Sequence, residues 1–359
     1  MTNWTVTVPI IAVLVLAVTW GRTLPGWAVA LVALCLAGAV LAAVHHAEVV
    51  AARVGEPFGS LVLAVAVTII EVGLIVTLMI SGSPEKTAAL ARDTVFAAVM
   101  ITCNGIVGLC LLVGALRRRV AVFNPEGSGA ALATVATLAT LSLAFPTFTT
   151  SEPGPQFSAA QLAFAAVASL ALYGIFVAVQ TVRHRDYFLP ITTSGTVVDG
   201  EQHADPPSGR AALGSLALLL VALVAVVGDA KTVSPNIEQA VAAVGFPPSV
   251  VGVIIALLVL LPETLAAVRA AARDRVQISL NLAYGSAMAS IGLTIPAIAV
   301  ASIWLSGPLE LGLGPTQLVL LALTVVVSIL TVVPGRATPL QGGVHLSILA
   351  AFIFLAVSP

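Results

Sequence analysis

Residues 55–80, GEPFGSLVLAVAVTIIEVGLIVTLMI, form an apolar run with one carboxylate, Glu71, near its centre. From Gly59 onward the run has about the length that a helix needs to cross a bilayer, roughly 20 residues. An ionisable side chain at that depth costs at least about 2.5–3.5 kcal/mol on insertion scales, so its presence indicates a function. This stretch therefore predicts a transmembrane helix built around Glu71.

Residues 245–269, GFPPSVVGVIIALLVLLPETLAAVR, repeat this arrangement in the second half of the chain, with Glu263 as the lone carboxylate. In each run the glutamate comes 13 residues after an apolar residue near the start, Phe58 or Val250. Two buried carboxylates at matching positions predict an internal duplication and a pathway for small inorganic cations.

The composition is typical of a membrane protein, with 59% hydrophobic side chains, 9% charged side chains and a mean hydropathy of +1.10. Soluble domains carry about 25% charged residues, so this chain cannot cover a water-facing surface. The lipid bilayer is its expected partner. No basic stretch is long enough to indicate nucleic-acid binding, and a homo-oligomer is compatible with the sequence.

Apolar runs separated by charged or Pro/Gly-rich breaks predict an all-α polytopic membrane protein with about eleven transmembrane helices. The expected spans are 5–21, 26–48, 59–80, 93–116, 130–147, 158–180, 211–228, 246–269, 276–302, 316–333 and 342–357. The expected organisation is an extra N-terminal helix within 1–25, a first repeat half in 26–180, a cytoplasmic linker in 181–210 and a second repeat half in 211–359.

The cationic side chains divide unevenly between the two sides of such a bundle. The side that holds the N-terminus receives 11 of the 15 Lys and Arg residues, namely Arg53, Arg117, Arg118, Arg119, Arg183, Arg185, Arg210, Arg269, Arg273, Arg275 and Arg336. The opposite side receives the other 4, Arg22, Lys86, Arg92 and Lys231. Because cationic loops remain cytoplasmic, we expect a cytoplasmic N-terminus and an external C-terminus.

The two halves are predicted to be inverted relative to each other. Without the first span, five helices precede the linker and five follow it, and an odd number per half reverses the direction of the second half. The pentads ARDTV at 91–95 and ARDRV at 272–276 open the spans that follow the two glutamates. This plan is typical of secondary transporters with a binding site near the membrane midplane.

The two glutamates have the chemistry of a shared cation and proton site. Burial disfavours the charged carboxylate, so the group can hold a proton on one leg of a cycle and a cation on the other. Hard cations such as Ca²⁺ take about six to eight oxygen ligands, including carboxylates and backbone carbonyls. Helix breaks near 55–57 and 246–248, and at Pro262 beside Glu263, are expected to free carbonyls that face a cavity. The alternative is that the glutamates only form hydrogen bonds between helices.

Three further polar side chains are expected to line this site: Thr68, Asn104 and Ser286. Thr68 lies three residues before Glu71 and hence on the same helix face. Asn104 and Ser286 each lie in the span that follows a glutamate-bearing span. For all three, the competing interpretation is interhelical packing or a local hydrogen bond to the backbone.

Other polar residues carry weaker signals. The sequence HHAE at 45–48 ends the second span, where two histidines near a carboxylate can bind a metal or sense pH, or simply lie at the headgroup interface. Asp229 and Glu310 fall near the external ends of spans and are expected to be hydrated. His345 occurs singly and predicts nothing.

Functions of other classes are less compatible with these features. The sequence contains no HExxH, GxSxG or P-loop motif of the kind that an enzyme would need. A passive cation channel is compatible with buried acids, but a duplicated inverted design fits alternating access better. A membrane scaffold has no need for two carboxylates near the midplane.

Over nearly its whole length the chain resembles the Ca²⁺:cation antiporter superfamily, and most closely its ChaA branch of bacterial Ca²⁺/H⁺ (and Na⁺, K⁺/H⁺) antiporters. The stretches that carry the resemblance are HHAEVVAARVGEPFG at 45–59, TIIEVGLIVTLM at 68–79, VQTVRHRDYFLP at 179–190, LLPETLAA at 260–267 and LNLAYGSAMASIGLTIPAIA at 280–299. Runs of this length are far more specific than a short motif.

The resemblance implies two inverted repeats, each with an acidic residue in a GNxxE-type motif, and Glu71 and Glu263 occupy the acidic positions. Asn104 matches the Asn of the first repeat, and Gly285-Ser286 matches the Gly-Ser of the second. The sequence departs from the family pattern in two ways. The Gly-Ser expected just before Asn104 is missing, and four residues near the glutamates are replaced. The Asn three residues before each glutamate is replaced by Thr68 and Leu260, and the preceding Gly by Val67 and Val259.

As a function, the resemblance implies an antiporter without a cofactor that exports Ca²⁺ across a bacterial cytoplasmic membrane in exchange for H⁺. The replaced Asn residues remove oxygen ligands, which leaves Na⁺ or K⁺ as the alternative cargo. Proton exchange at the two glutamates is unaffected by these replacements.

Overall fold

The computed structural model describes residues 3–22, 24–55, 58–81, 87–191, 206–305 and 307–358. This part of the chain contains eleven consecutive helices. They are α1 Asn3–Thr19, α2 Gly26–Val54, α3 Phe58–Ser81, α4 Leu90–Arg118, α5 Pro125–Thr147, α6 Ala159–Arg183, α7 Gly209–Ala243, α8 Ser249–Ala272, α9 Val276–Ala301, α10 Pro315–Val332 and α11 Pro339–Val357. Ten are long and apolar enough to cross a membrane, and α1 is shorter, with 17 residues. The predicted all-α class is confirmed, and every predicted span coincides with a helix.

Several helices begin where local capping chemistry dictates. The side chain of Asn124 accepts a hydrogen bond of 2.9 Å from the backbone N–H of Glu126, and Pro125 occupies the first helical position of α5. Ser158 and Gln161 form a capping box at the start of α6. Because polar and small residues fill the first turn of α5, this helix starts earlier than its apolar run, at Pro125 instead of 130.

Helix α7 continues well beyond its predicted limit. The span was expected over 211–228, but the helix runs from Gly209 to Ala243 and includes Pro235 in its interior. The polar sequence after residue 228 has the pattern of a loop, yet Asp229, Val233 and Val241 are buried against neighbouring helices. Tertiary packing therefore overrides the local polarity and keeps this segment helical.

Contacts between loops agree with the predicted alternation of the helices across the bundle. Strand β1 (Ala121–Val122), after α4, pairs antiparallel with β2 (Arg336–Ala337), before α11. At the opposite end, the N–H of Glu310 donates to the carbonyl of Ala88 at 3.0 Å. In each contact, the two loops are ones that the eleven-span prediction assigns to the same side of the membrane as each other.

The two halves of the chain interlock through the helices that carry the glutamates. Helix α3 packs against α9 of the second half, and α8 packs against α4 of the first half. Gly252 of α8 touches the backbone of Asp93 and Thr94, where an added Cβ would lie only 2.9 Å from the Asp93 carbonyl carbon. The absence of a side chain at Gly252 is what permits this close crossing.

Of the expected helix breaks, the one near 246–248 is confirmed, because α7 ends at Ala243 and α8 begins at Ser249. Helix α8 is continuous from Ser249 to Ala272 with Pro262 inside it, so the expected break beside Glu263 is wrong. Gly55 ends α2 with a φ of 76°, while Glu56 and Pro57 lie outside the described residues. The helices that follow the two glutamate-bearing helices are irregular as well, with a π-helical segment at Ile101–Ile106 in α4 and a turn at Leu293 in α9.

The first part of the expected linker packs against the helices. Helix α6 extends to Arg183, and a short 3₁₀ helix follows at Arg185–Phe188. The ring of Phe188 meets that of Phe176 edge to face at 5.6 Å. Residues 192–205 of the predicted linker lie outside the described residues.

Candidate functional site

Glu71 lies in the middle of α3 with only 3% of its surface exposed. The Ser290 hydroxyl of α9 donates a hydrogen bond of 3.0 Å to Oε2 of Glu71. The Thr294 hydroxyl is close to the same carboxylate but does not reach standard hydrogen-bond geometry. Oε1 of Glu71 is buried without a hydrogen-bond partner. This carboxylate therefore retains a free oxygen inside the bundle.

Glu263 borders a cavity of about 220 Å³ between the two halves. Helices α3, α6, α8 and α9 contribute to its wall, which includes Val67, Tyr173, Gln180, Asn281, Gly285 and Ser286. Gln180 and Ile278 extend the cavity towards the end of the bundle that carries Arg183 and Arg275. Oε2 of Glu263 is buried without a hydrogen-bond partner. The cavity can therefore hold water or an ion beside this carboxylate.

The two carboxylates interact electrostatically. They are close enough for the charge of Glu263 to act on Glu71. Within the described part of the chain, the ion pairs involve Arg92 and Arg118, and no Lys or Arg neutralises either glutamate. Two neighbouring acids with free oxygens and no basic partner have a strong tendency to bind protons or cations.

The structure places two of the predicted neighbours beside the glutamates. Ser286 lines the cavity together with Glu263. Thr68 is buried on α3, one helical turn before Glu71. Among the described residues, no cluster of three or more His, Cys, Asp or Glu side chains is arranged to hold a metal. A cation bound here would therefore need hydroxyl, carbonyl or water oxygens in addition to the two carboxylates.

Asn104 is buried in the π-helical segment of α4, and its side-chain amide is already engaged. Its Nδ2 donates to Thr324 Oγ1 at 2.9 Å, and its Oδ1 lies 3.2 Å from Nδ1 of His345. Nε2 of His345 lies 3.2 Å from Thr331 Oγ1. Asn104 therefore belongs to a polar network with α10 and α11, and a ligand role would require its oxygen to leave His345.

The histidine pair at the end of α2 has a mainly structural environment. Nε2 of His46 lies 2.8 Å from the carbonyl of Thr5, and the whole side chain is buried. His45 lies beside the Trp4 ring, with the ring centroids 6.3 Å apart. The expectation of a headgroup position is wrong for His46, because this residue joins α2 to α1 inside the bundle.

The two acids expected to be hydrated differ from each other. Asp229 is fully buried on α7, so that expectation is wrong for this residue. Glu310 is half-buried, and its carboxylate lies 4.0 Å from Arg92. The difference follows from the length of α7, since its continuation to Ala243 places Asp229 inside the helix instead of in a loop.

Two residues of the site region, Ser290 and His345, were not predicted from the sequence. Ser290 lies four residues after Ser286, so the two hydroxyls share a face of α9, and this spacing was an available signal. His345 gave no comparable signal, because its partners lie far away in the sequence, at Asn104 and Thr331.

Comparison with known proteins extends over nearly the whole chain. The family model of the sodium/calcium exchanger protein matches residues 24–182 and 214–358, which are the regions of α2–α6 and α7–α11. The protein y4hA of Sinorhizobium fredii, provisionally named an ionic transporter, is 47% identical over 99% of this chain and 96% of its own length. The sodium-potassium/proton antiporter ChaA of Escherichia coli K12 is 33% identical over 96% of this chain and 93% of its own.

The fold is also found among solved structures. The native structure of YfkE superposes with a TM-score of 0.70 at 17% identity and covers 99% of both chains. Because the family model spans both halves and ChaA is similar over almost its full length, this chain belongs to the sodium/calcium exchanger protein family and is a multi-pass membrane cation antiporter, not an enzyme.

Proposed function

We propose that the protein exports a cytosolic cation in exchange for protons, with Glu71 and Glu263 as the shared binding site. The observation that carries the proposal is a pair of carboxylates inside the bundle, Glu71 buried and Glu263 partly buried, each with a buried oxygen that lacks a hydrogen bond and neither with a basic partner. When both are charged, they repel each other and attract a cation. When both are protonated, the site is neutral and the cation leaves.

Competition for the same oxygens couples the two fluxes. A cation that binds between Glu71 and Glu263 displaces their protons, and protons that return displace the cation. Ser290 stabilises the charged form of Glu71 through its hydrogen bond. Ser286 and Thr68 supply further hydroxyl oxygens close to the two acids.

Ca²⁺ is the cargo that the charge of the site favours. Two carboxylates neutralise one divalent cation, and the cavity beside Glu263, of about 220 Å³, leaves room for the water ligands that complete a calcium shell. A monovalent cation would leave one negative charge uncompensated in a low-dielectric environment, which is unfavourable.

Na⁺ or K⁺ is the second candidate, and it rests on two specific observations. Leu260 lies one turn before Glu263 and offers no oxygen ligand. ChaA, 33% identical over nearly the full chain, is named a sodium-potassium/proton antiporter. With fewer side-chain ligands, selectivity for a divalent cation is weaker.

The cavity and the distribution of arginine support an assignment of the conformational state and of its orientation in the membrane. The cavity beside Glu263 extends towards the end of the bundle that is rich in arginine, which the positive-inside rule assigns to the cytoplasm. We therefore assign this cavity to an inward-facing state in a bacterial cytoplasmic membrane, with the N-terminus inside and the C-terminus outside. Alternating access then requires a second state in which the glutamates face the exterior.

The test is proton flux in inverted membrane vesicles. A preformed pH gradient is followed with a fluorescent dye while CaCl₂, NaCl or KCl is added at several pH values. Collapse of the gradient by Ca²⁺ supports the first cargo, and collapse only by Na⁺ or K⁺ supports the second. A gradient that survives all three salts, in vesicles shown to contain the folded protein, would refute proton-coupled exchange.

A further inference from the structure

Asp229 is a buried carboxylate that takes no part in the candidate cation site. It lies within α7 with 0% of its surface exposed. Both of its carboxylate oxygens are buried without a hydrogen-bond partner. No Lys or Arg in the described part of the chain forms an ion pair with it. A charge in such a place is costly unless it is paired or neutralised.

The helices around Asp229 offer little to stabilise a charge. Helix α7 packs against α1, α2, α3 and α8, and α1 has no ionisable side chain between Trp4 and Thr19. The ionisable residues of the other three are Cys35, His45, His46, Glu48 and Arg53 on α2, Glu71 on α3, and Glu263 and Arg269 on α8. Of these described groups, the Cys35 thiol is the one that interacts electrostatically with Asp229.

The nearest cation on α7 itself is held elsewhere. Lys231 follows Asp229 by two residues, so its side chain leaves the helix on a different face. Its Nζ lies 5.1 Å from the centre of the Trp20 ring, and the residue is exposed. This cation–π contact keeps the ammonium group at the surface. Lys231 therefore does not neutralise the carboxylate of Asp229.

The two residues that precede Asp229 on α7 pack closely against α3 and α1. Val227, two residues before Asp229, packs on Gly73 of α3, where an added Cβ would lie 2.8 Å from Val227 Cγ2. Gly228 packs even more closely on Leu16 of α1. A charge on Asp229 would therefore lie next to a tightly packed part of α7, where close contacts with α1 and α3 leave little room for rearrangement.

We propose that Asp229 is a further proton-binding site, distinct from the Glu71–Glu263 pair. In the conformation described here it carries a proton, which makes it neutral among α1, α2 and α7. It releases the proton when water reaches it from the side of Trp20 and Lys231, and the resulting charge destabilises the close packing of α7 against its neighbours. The site is not used for the cation, so this proposal is independent of the cargo.

The proton on Asp229 can be observed directly by infrared difference spectroscopy across a pH titration. The starting protein is the double variant E71Q/E263Q, in which the two site acids no longer contribute. We expect a C=O stretching band of a protonated carboxylic acid that disappears as the pH rises and is absent from E71Q/E263Q/D229N. Identical spectra of the two proteins at every pH would overturn the proposal.

A second variant keeps this test independent of the folding of D229N. Replacing Cys35 with Ala changes the neighbour of Asp229 without removing the carboxylate, so the same band should shift in frequency and in the pH at which it disappears. A band that neither substitution affects belongs to another acid and also overturns the proposal. Both readouts remain valid if the protein proves not to exchange protons at all.

Transport provides the functional part of the test. Asn is isosteric with a protonated Asp, so D229N should still exchange cation for protons. Its rate should no longer respond to the pH on the Trp20–Lys231 side over the range in which the infrared band titrates. If the exchange rate of D229N depends on the pH of that side as the native rate does, titration of Asp229 has no effect on transport, and this part of the proposal is refuted.

Discussion

The hydroxyl of Ser290 donates a hydrogen bond of 3.0 Å to Glu71 Oε2, although the two residues lie 219 positions apart. This bond joins α3 of the first half to α9 of the second half at the level of the candidate site. The site is therefore assembled from both halves, and neither half contains it alone.

Conversion of either glutamate to glutamine is expected to abolish exchange. Glu71→Gln and Glu263→Gln preserve shape but remove the charge that binds the cation and the proton that is exchanged. The measurement is the pH-gradient collapse described above, with the amount of protein in the membrane determined in parallel. Glu152→Gln is the matched control, because Glu152 is exposed in the loop before α6. Full exchange by both site variants would contradict the proposed role.

Loss of the Ser290 hydroxyl is expected to weaken the site without destroying it. Ser290→Ala leaves Glu71 with no hydrogen-bond donor, at a cost of about 1–3 kcal/mol for an unsatisfied buried acceptor. A loss of about 1.4 kcal/mol in cation binding corresponds to a tenfold rise in the concentration that gives half-maximal exchange. Ser347→Ala is the control, because Ser347 is exposed and bonds only to Gly343 of its own helix. If Ser290→Ala and Ser347→Ala give the same half-maximal cation concentration, the Ser290 hydrogen bond does not contribute to cation binding at Glu71.

Filling the cavity beside Glu263 is expected to block access from the arginine-rich side. A Cβ at Gly285 meets no atom within 4 Å, so this position has room for a side chain, and Gly285→Leu adds apolar volume to the wall of the cavity. The variant should fold normally and lose exchange. Gly174→Leu is the control, because Gly174 is exposed on α6 and also has nothing within 4 Å. Native exchange by Gly285→Leu would show that ions reach Glu263 by another route.

The same glycine tests the orientation of the cavity. Gly285→Cys, in a protein whose three native cysteines are replaced by Ala, should react with a charged thiol reagent. Reaction is expected from the cytoplasmic side only, and saturating cation should slow it. Reaction from the exterior alone would reverse the proposed sidedness.

The His345 network is expected to contribute mainly to stability. His345→Leu leaves the buried oxygens of Asn104 and Thr331 without their partner, at a cost of about 1–3 kcal/mol for each unsatisfied group. The measurement is thermal unfolding of the purified protein in detergent. His184→Leu is the control, because His184 is exposed after the end of α6. An unchanged melting temperature in His345→Leu would indicate that Asn104 finds another partner.

The sequence by itself determined the eleven helices and singled out Glu71 and Glu263. The reason is physical: the cost of inserting a side chain into hydrocarbon depends on its own chemistry, so spans and misplaced charges are visible without knowledge of their neighbours. Its errors arose where local polarity and burial disagree. The segment after residue 228 has the composition of a loop, but packing keeps it helical and buries Asp229.

Only the tertiary structure decided which polar groups meet. Ser290 and Glu71, Asn104 and His345, and Glu263 and its cavity are each brought together by helices that are distant in the sequence. A hydrogen bond depends on distance and direction to within a fraction of an ångström, and hydropathy carries no information on either. The sequence therefore indicates that the bundle contains buried acids, and the packing of two interlocked halves determines what each acid can bind.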